Sequence, residues 1–209
     1  LDWFPGETLY EKIGRAVCRA GTLPGKEFFE AWEVARRVRR KYRGGRVVDL
    51  ACGHGLLAHI MLLLDGTSPE SLAVDSHLPE NARRLSEALL RSWPRLRNRI
   101  HYVEADIGTI QISSSDLVVS VHACGALTDT VLEKAVRAGA RVAVTEPGYP
   151  CYRNTLEAFG VEGKGGYAGV QGVVDFSQVF GWAESLSDDD AKVKAKLDEI
   201  RGHVAAPAV

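Results

Sequence analysis

The chain has 209 residues, of which 45% are hydrophobic and 25% charged, and this composition predicts one domain with a sizeable core. Its formal net charge of −1 excludes a global attraction to nucleic acid, and because no apolar run reaches the ~18 residues of a membrane span, we expect no membrane association. The four cysteines form no Cys-x-x-Cys pair, which favours a reducing cytoplasm over a disulfide scaffold, and the first residue, Leu1, indicates a fragment or a processed product.

Two amphipathic helices are predicted in residues 1–44, as a segment packed on the core. The first runs from Leu9 to Ala20, where apolar residues recur at helical spacing, and Gly21 is its predicted terminator. The second is predicted over residues 26–42, with an apolar face formed by Phe28, Phe29, Trp32, Ala35 and Val38.

The later turns of the second helix carry a basic cluster that includes Arg36, Arg37 and Arg40. Cations near a helix C-terminus interact favourably with the helix dipole, which explains part of the cluster as solvated surface. The alternative is a face that binds RNA phosphates. The sequence leaves both interpretations open.

A short apolar strand then runs into a glycine-containing turn and an apolar helix over residues 47–58. Gly53 and Gly55 permit a sharp turn and the close approach of a ligand, as in a nucleotide-cofactor loop. The spacing Gly53-x-Gly55-x-x-Ala58 also fits the dinucleotide fingerprint, so an NAD-dependent oxidoreductase is one alternative. Asp49 favours a cationic ligand instead, because an ionised carboxylate at the end of the strand would repel a diphosphate.

Two further acids end the next two predicted strands. Asp75 ends the strand predicted over 71–75, where an acid accepts hydrogen bonds from ribose hydroxyls. Asp106 follows the strand predicted over 99–105 and could accept from an adenine amino group, while the Ile107 N–H donates to the ring. Ligands of parallel sheets bind beyond the carboxyl ends of the strands, so we expect these acids to surround one site.

The remaining pattern alternates helices and strands, which predicts a parallel sheet covered on both faces. One helix is predicted to open at Pro79, and a capping box of Thr130 and Glu133 is predicted to start the helix after strand four. In the C-terminal part, a fifth strand is predicted over residues 141–145 and a glycine-rich loop over 163–172. A sixth strand is predicted over 173–180 and a final helix over 187–202.

Residues 46–151 resemble a class I S-adenosylmethionine-dependent methyltransferase. Asp49 to Gly55 is similar to the family's Asp/Glu-x-Gly-x-Gly-x-Gly motif, with Ala51 in place of the first glycine. The resemblance implies a Rossmann-like α/β fold, with a mostly parallel sheet and helices on both faces, as one methyltransferase domain over residues 45–209. It implies S-adenosylmethionine as the cofactor, bound by Asp49, Ala51, Cys52, Gly53, His54, Gly55, Asp75, Asp106 and Ile107.

The segment after strand four narrows the resemblance. His122, Cys124 and Gly125 resemble a subgroup that carries His-x-Cys-Gly and includes a tRNA 2′-O-methyltransferase and a methyltransferase domain of glutathione-transferase-like fusion proteins. Some members carry Pro-Cys-Cys-His after strand five, where this chain has Pro-Cys-Tyr-Arg at residues 150–153. This departure lies where the acceptor would bind, so the resemblance does not identify the acceptor.

The predicted reaction is in-line transfer of a sulfonium methyl group to an oxygen or nitrogen acceptor, with RNA as one candidate. His122 is the predicted general base, because an imidazole titrates near neutral pH, and its alternative role is to shape the cofactor pocket. Tyr152 and Arg153 are predicted to orient the acceptor. A catalytically silent module that binds cofactor or RNA is the third hypothesis, and the sequence does not indicate an oligomeric state.

A zinc site is the alternative role for the cysteines and histidines near the strand ends. Their spacing is shorter than is usual for zinc, and both Cys/His pairs lie in motifs that the cofactor loop already explains, so we predict no metal. The residues that could converge on one cavity are Cys52, His54, His122, Cys124 and Cys151.

Overall fold

The computed structural model describes residues 4–121, 123, 126–144 and 172–174. Helix α1 (Leu9–Ala20) begins at a capping box, in which the Thr8 side chain accepts from the Glu11 N–H and the Glu11 carboxylate accepts from the Thr8 N–H. It ends at Gly21, whose φ of 60° is a left-handed conformation that glycine adopts without strain. The first predicted helix is therefore confirmed.

Helix α2 (Gly25–Lys41) packs its buried face into the same hydrophobic core as α1. Phe28 is buried, whereas Phe29, predicted on the apolar face, is 46% exposed. Successive residues of a helix point about 100° apart, so only one of two adjacent phenylalanines can face the core fully. Further along α2, Arg39 is buried and forms an ion pair with Asp65, with 3.0 Å between its Nη1 and the carboxylate Oδ2.

The central sheet has six strands in the order β3-β2-β1-β4-β5-β6. The first five strands are parallel, and β6 runs antiparallel to β5. The strand order reverses between β1 and β4, and ligands of such sheets bind at the crevice beyond the strand ends at this point. The strands are β1 (Val47–Leu50), β2 (Ser71–Asp75), β3 (Ile100–Glu104), β4 (Leu117–Ser120), β5 (Arg141–Val144) and β6 (Gly172–Val174).

Apolar side chains cover both faces of the central strands, because successive residues of a strand point to opposite faces. Val47 and Val119 pack into the core that contains α1 and α2, whereas Val48 and Val118 pack into a second core against α5. Helices therefore cover both faces, which confirms the predicted fold. The helices after β1 are α3 (Leu56–Leu64), α4 (Ala82–Ser92) and α5 (Ala126–Ala138), with short 3₁₀ turns at Pro94–Leu96 and Ile107–Thr109.

Two predicted helix starts are wrong. Helix α4 begins at Ala82 and not at Pro79, and α5 begins at Ala126, four residues before the predicted capping box at Thr130. The Thr128 hydroxyl donates to the carbonyl of Ala123, so the first turn of α5 is anchored upstream of the sequence that resembles a capping box.

The C-terminal predictions are tested only in part. Gly172–Val174 forms strand β6, which overlaps the start of the predicted sixth strand. Gly172, predicted as the last residue of the glycine-rich loop, is therefore in β6, whereas residues 163–171 of that loop, the rest of the predicted strand and the predicted helix over 187–202 lie outside the described residues. No helix within the described part of the chain is long and apolar enough to cross a bilayer.

Candidate functional site

The loop between β1 and α3, residues 51–55, lies at the carboxyl end of β1 in the crevice of the sheet. Ala51, Gly53 and Gly55 have φ angles of 56°, 51° and 71°, all in the left-handed region. The Gly55 N–H donates to the Cys52 carbonyl at 2.8 Å, and the Cys52 N–H donates to the Val74 carbonyl at 2.9 Å. The loop is thus a tight turn that is fixed to β2.

Ala51 is strained in this loop, because its β-carbon makes a left-handed conformation unfavourable by ~1–2 kcal/mol. Ala51→Gly should relieve the strain, although the greater flexibility of the unfolded chain offsets ~0.4–1 kcal/mol of the gain. We expect a net stabilisation of ~0.5–1 kcal/mol in urea unfolding. Ala88→Gly is the control, because at an ordinary position inside α4 the same change should destabilise by ~1 kcal/mol. A destabilised Ala51→Gly variant would contradict this account.

Buried polar side chains hold the loop from behind. The Tyr102 hydroxyl donates to the His54 carbonyl at 2.9 Å, and Nδ1 of His59 donates to the Gly55 carbonyl at 2.8 Å. Burial lowers the pKa of His59 to about 4 and raises the pKa of Tyr102, so the imidazole is neutral and the phenol keeps its proton at neutral pH. Ser86 lies 3.2 Å from Nε2 of His59 and fixes the other side of the ring.

Asp49 is 1% exposed, and its Oδ2 accepts from the N–H of Ala58, in the first turn of α3, at 3.1 Å. The carboxylate therefore occupies the helix N-terminus on which the dinucleotide fingerprint would place a pyrophosphate. Burial raises the pKa of Asp49 to about 8, and the nearby Asp75 adds a smaller repulsion. Burial therefore favours the protonated form of Asp49, and a cation beside it would favour the ionised form expected from the sequence.

Asp75 and Asp106 lie at the carboxyl ends of β2 and β3, the two strands beyond β1. Oδ2 of Asp75 accepts from the Gly53 N–H at 2.8 Å and Oδ1 from the His77 N–H at 3.3 Å. A carboxylate has about four acceptor positions, so Asp75 retains capacity for ligand hydroxyls. The structure thus places all three predicted acids at one edge of the sheet.

Asp106 is exposed, and its Oδ1 accepts from the Gly108 N–H at 2.6 Å. This bond caps the 3₁₀ turn that begins at Ile107, and the Ile107 side chain is only 5% exposed. The carboxylate is therefore held at the rim of the site, while Ile107 packs into the core beside α5.

An open cleft lies between the loop and α2. Two of its lining residues, Glu27 and Ala31, belong to α2 and lie one helical turn apart, and Leu23 precedes that helix. These three residues were not predicted from the sequence, because no motif links them to a loop at least 20 residues further along the chain. The lining comprises Leu23, Glu27, Ala31, Asp49, Ala51, Cys52, Gly53, His54, Leu56, Leu57 and Val121.

Cys52 and His54, two of the five candidate ligands of a zinc site, are placed in this loop in ways that do not favour metal binding. Burial raises the pKa of the Cys52 thiol well above its ordinary range, which disfavours the thiolate that binds metal. Nε2 of His54 lies 2.8 Å from Oδ1 of Asn81. Within the described residues no group of three or more His, Cys, Asp or Glu side chains could hold a metal ion. The other members, His122, Cys124 and Cys151, lie outside those residues.

The predicted base and acceptor-orienting residues, His122, Tyr152 and Arg153, also lie outside the described residues and stay predictions. The basic cluster of α2, in contrast, lies within the described residues. Arg36 and Arg37 both contact Glu33, with N–O distances of 2.9 and 2.5 Å, and Arg40 is exposed.

The cluster lies further along α2 than the cleft residues do. At 1.5 Å per residue, Arg36 and Arg40 are about 7.5 and about 13.5 Å beyond Ala31 along the helix axis, and neither lines the cleft. The structure therefore does not bring the basic cluster into the cleft.

A family model described as a methyltransferase domain matches residues 27–158. Among solved structures, a protein of Thermoplasma acidophilum is 16% identical with a TM-score of 0.52, covering 75% of this chain and 79% of that one. A candidate RNA methyltransferase of Pyrococcus horikoshii is 17% identical with a TM-score of 0.51, covering 69% and 79%. An S-adenosylmethionine-dependent O-methyltransferase of Thermotoga maritima is 21% identical with a TM-score of 0.51, covering 72% and 54%. At these identities the likeness shows a shared fold.

Among curated proteins, valine–pyruvate aminotransferase of Mycobacterium tuberculosis is 27% identical over 148 residues, which is 71% of this chain and 35% of that protein. The chain thus spans about a third of the length of that relative. The match to the family model covers more than half of this chain, including β1, the loop and both acids that follow it. The chain therefore belongs to the methyltransferase-domain family.

Proposed function

We propose that the cleft binds S-adenosylmethionine and that the chain transfers its methyl group to an oxygen or nitrogen acceptor. The observation that carries the proposal is the placement of Asp49, Asp75 and Asp106 at the ends of three adjacent strands around a tight glycine loop. The shared fold with an S-adenosylmethionine-dependent O-methyltransferase supports it. Bound there, the cofactor would supply a methyl group already activated by its sulfonium.

Each acid suits a different part of this cofactor. Asp75 has free acceptor capacity for the ribose hydroxyls, and Asp106 at the rim suits the adenine amino group. Asp49 would face the sulfonium group of the cofactor and become ionised beside it. The chain's contribution is then positioning, which can supply ~7–11 kcal/mol for well-aligned reactants. His122 is the proposed base for an acceptor that starts protonated.

The described residues that line the cleft argue against a dinucleotide, because they offer no cation to a pyrophosphate. Among its described lining residues the ionisable acids are Asp49 and Glu27, and none is a lysine or arginine. The N–H of Ala58 that a pyrophosphate would use already donates to Asp49. An oxidoreductase that binds NAD therefore fits this site less well than a methyltransferase.

Calorimetric or tryptophan-fluorescence titration tests the proposal. S-adenosylmethionine and S-adenosylhomocysteine should bind saturably, and NAD should bind far more weakly. Saturable NAD binding without binding of either S-adenosyl compound would overturn the proposal. Methyl transfer from labelled cofactor to total RNA then distinguishes an active enzyme with an RNA acceptor from a silent binding module.

RNA is the acceptor class that we propose to test first. The exposed end of α2 carries the basic cluster, the His-x-Cys-Gly segment resembles a subgroup with a tRNA-modifying member, and one protein of the same fold is a candidate RNA methyltransferase. Because Arg36 and Arg37 already contact Glu33, binding to phosphate must compete with these ion pairs. RNA affinity from this surface should therefore be modest and strongly dependent on salt.

Replacing Arg36, Arg37 and Arg40 together with Gln should weaken RNA binding across sequences. The log–log dependence on salt should flatten by ~0.7 for each single-strand phosphate contact that is lost. The control replaces three exposed arginines elsewhere, Arg83, Arg91 and Arg97, with Gln. It removes the same number of charges and should leave the salt dependence of RNA binding unchanged. If filter binding gives equal slopes for both triple variants, the cluster is ordinary solvated surface.

A further inference from the structure

Helix α2 forms one wall of the cleft through Glu27, which faces the loop. The Glu27 side chain is 37% exposed, and its Oε2 lies 4.0 Å from Nδ1 of His54. On its other nitrogen His54 contacts Asn81, whose Nδ2 donates to the Thr22 carbonyl at 3.2 Å. The contacts through Asn81 tie the loop to the connection between α1 and α2, which places the loop beside the first turn of α2, where Glu27 lies.

The electrostatics of this wall favour a cation. Glu27 lies in the first turn of α2, where the helix dipole stabilises a negative side chain. Asp49 is the second carboxyl group of the cleft, and most of the other lining side chains are apolar, including Leu23 and Ala31. A cleft with two acids and apolar walls suits a cationic group carried on a short apolar stem.

We propose that Glu27 binds the α-ammonium group of the cofactor's amino-acid portion, which makes α2 part of the cofactor site. This assignment rests on the proposed function, since S-adenosylmethionine and S-adenosylhomocysteine both carry that ammonium on a short carbon chain. A carboxylate that accepts from an ammonium forms a charge-assisted hydrogen bond, which is stronger than a neutral one. Glu27 would thus select ligands that retain the amino-acid portion over those that have lost it.

The test compares two ligands and two matched variants. S-adenosylhomocysteine carries the ammonium, whereas 5′-methylthioadenosine keeps the adenosine and the sulfur but lacks the amino-acid portion. Glu27→Gln keeps the shape of the side chain and removes its charge. Glu87→Gln makes the same change at an exposed position on α4.

In calorimetric titrations, Glu27→Gln should weaken S-adenosylhomocysteine binding by ~10- to 150-fold, the range for losing a charged hydrogen bond. Its affinity for 5′-methylthioadenosine should stay within about threefold of wild type, and Glu87→Gln should change neither affinity.

Two outcomes would overturn the assignment of Glu27 without overturning the proposed function. An unchanged S-adenosylhomocysteine affinity would show that Glu27 does not contact the ligand, and an equal loss for both ligands would show that it acts only by holding His54. A wild-type chain that binds neither ligand would overturn the proposed function together with this assignment, so the two failures are distinguishable.

Discussion

Gly55→Ala should destabilise the chain by ~2–5 kcal/mol and abolish cofactor binding at ordinary concentrations. The new β-carbon would lie 2.7 Å from Cε1 and from the hydroxyl oxygen of Tyr102, a distance at which the ring must move. Tyr102 cannot move freely, because its hydroxyl is bonded to the His54 carbonyl. Overpacking of this kind costs ~1–3 kcal/mol, and the left-handed φ of 71° adds ~1–2 kcal/mol for a residue with a β-carbon.

Gly66→Ala is the matched control for this prediction. A β-carbon at Gly66 would meet no atom within 4 Å, and its backbone is outside the left-handed region. Its free energy of unfolding in urea should stay within ~0.5 kcal/mol of wild type, with unchanged affinity for S-adenosylhomocysteine. Equal stability of the two variants would show that the loop is not held against Tyr102 as the structure describes.

Asp49→Asn should stabilise the ligand-free chain at pH 9 by a few kcal/mol and weaken its binding of S-adenosylmethionine. Burial raises the pKa of Asp49 to about 8 in the folded chain, against ~3.9 in the unfolded chain. The folded state therefore holds the proton more tightly, and the stability linked to that proton is fully present below pH ~4. It is lost as the pH rises toward 8 and stays absent above it, whereas asparagine has no such dependence.

Urea unfolding of both proteins between pH 4 and pH 9 checks the stability part. The difference in the free energy of unfolding between the variant and wild type should grow as the pH rises across this window, by up to ~1.4 kcal/mol per pH unit. Glu87→Gln, an exposed acid on α4, should follow the wild-type profile. A difference that does not depend on pH would contradict a buried, proton-binding Asp49.

The ligand preference checks the functional part of the same prediction. S-adenosylmethionine carries a sulfonium and S-adenosylhomocysteine a neutral sulfur, so Asp49 should favour the former through charge. In Asp49→Asn, the ratio of the affinity for S-adenosylmethionine to the affinity for S-adenosylhomocysteine should fall, because the charge that favours the sulfonium has been removed. A ratio unchanged by the substitution would place Asp49 away from the sulfur.

The three acids were predictable from the sequence because each lies at or next to the end of a short predicted strand, and parallel strands end at a common edge. Tyr102 and Glu27 were not. The contact of Tyr102 with the loop depends on the parallel pairing of β3 with β2, in which Tyr102 is opposite Ala73, and this register is not written in any local motif. Glu27 reaches the cleft only because α2 packs beside α3, a contact between elements distant in sequence.

The basic run on α2 shows why a charge pattern alone is ambiguous. The sequence has six cations between residues 36 and 43, namely Arg36, Arg37, Arg39, Arg40, Lys41 and Arg43. They do not form one surface, because Arg39 is buried and pairs with Asp65, and Glu33 partly neutralises Arg36 and Arg37. Arg43 donates to the Leu64 carbonyl. Helical periodicity distributes adjacent residues around the axis, so only part of such a run can form a single face.

A crystal structure of the chain with S-adenosylhomocysteine tests the central claim most directly. The proposed site predicts ribose hydroxyls within hydrogen-bonding distance of the Asp75 carboxylate, the adenine beside Asp106 and Ile107, and the amino-acid portion in the cleft that Asp49 and Glu27 line. An adenosine bound away from the ends of β1, β2 and β3, or an unliganded cleft at a concentration that saturates binding in solution, would contradict it.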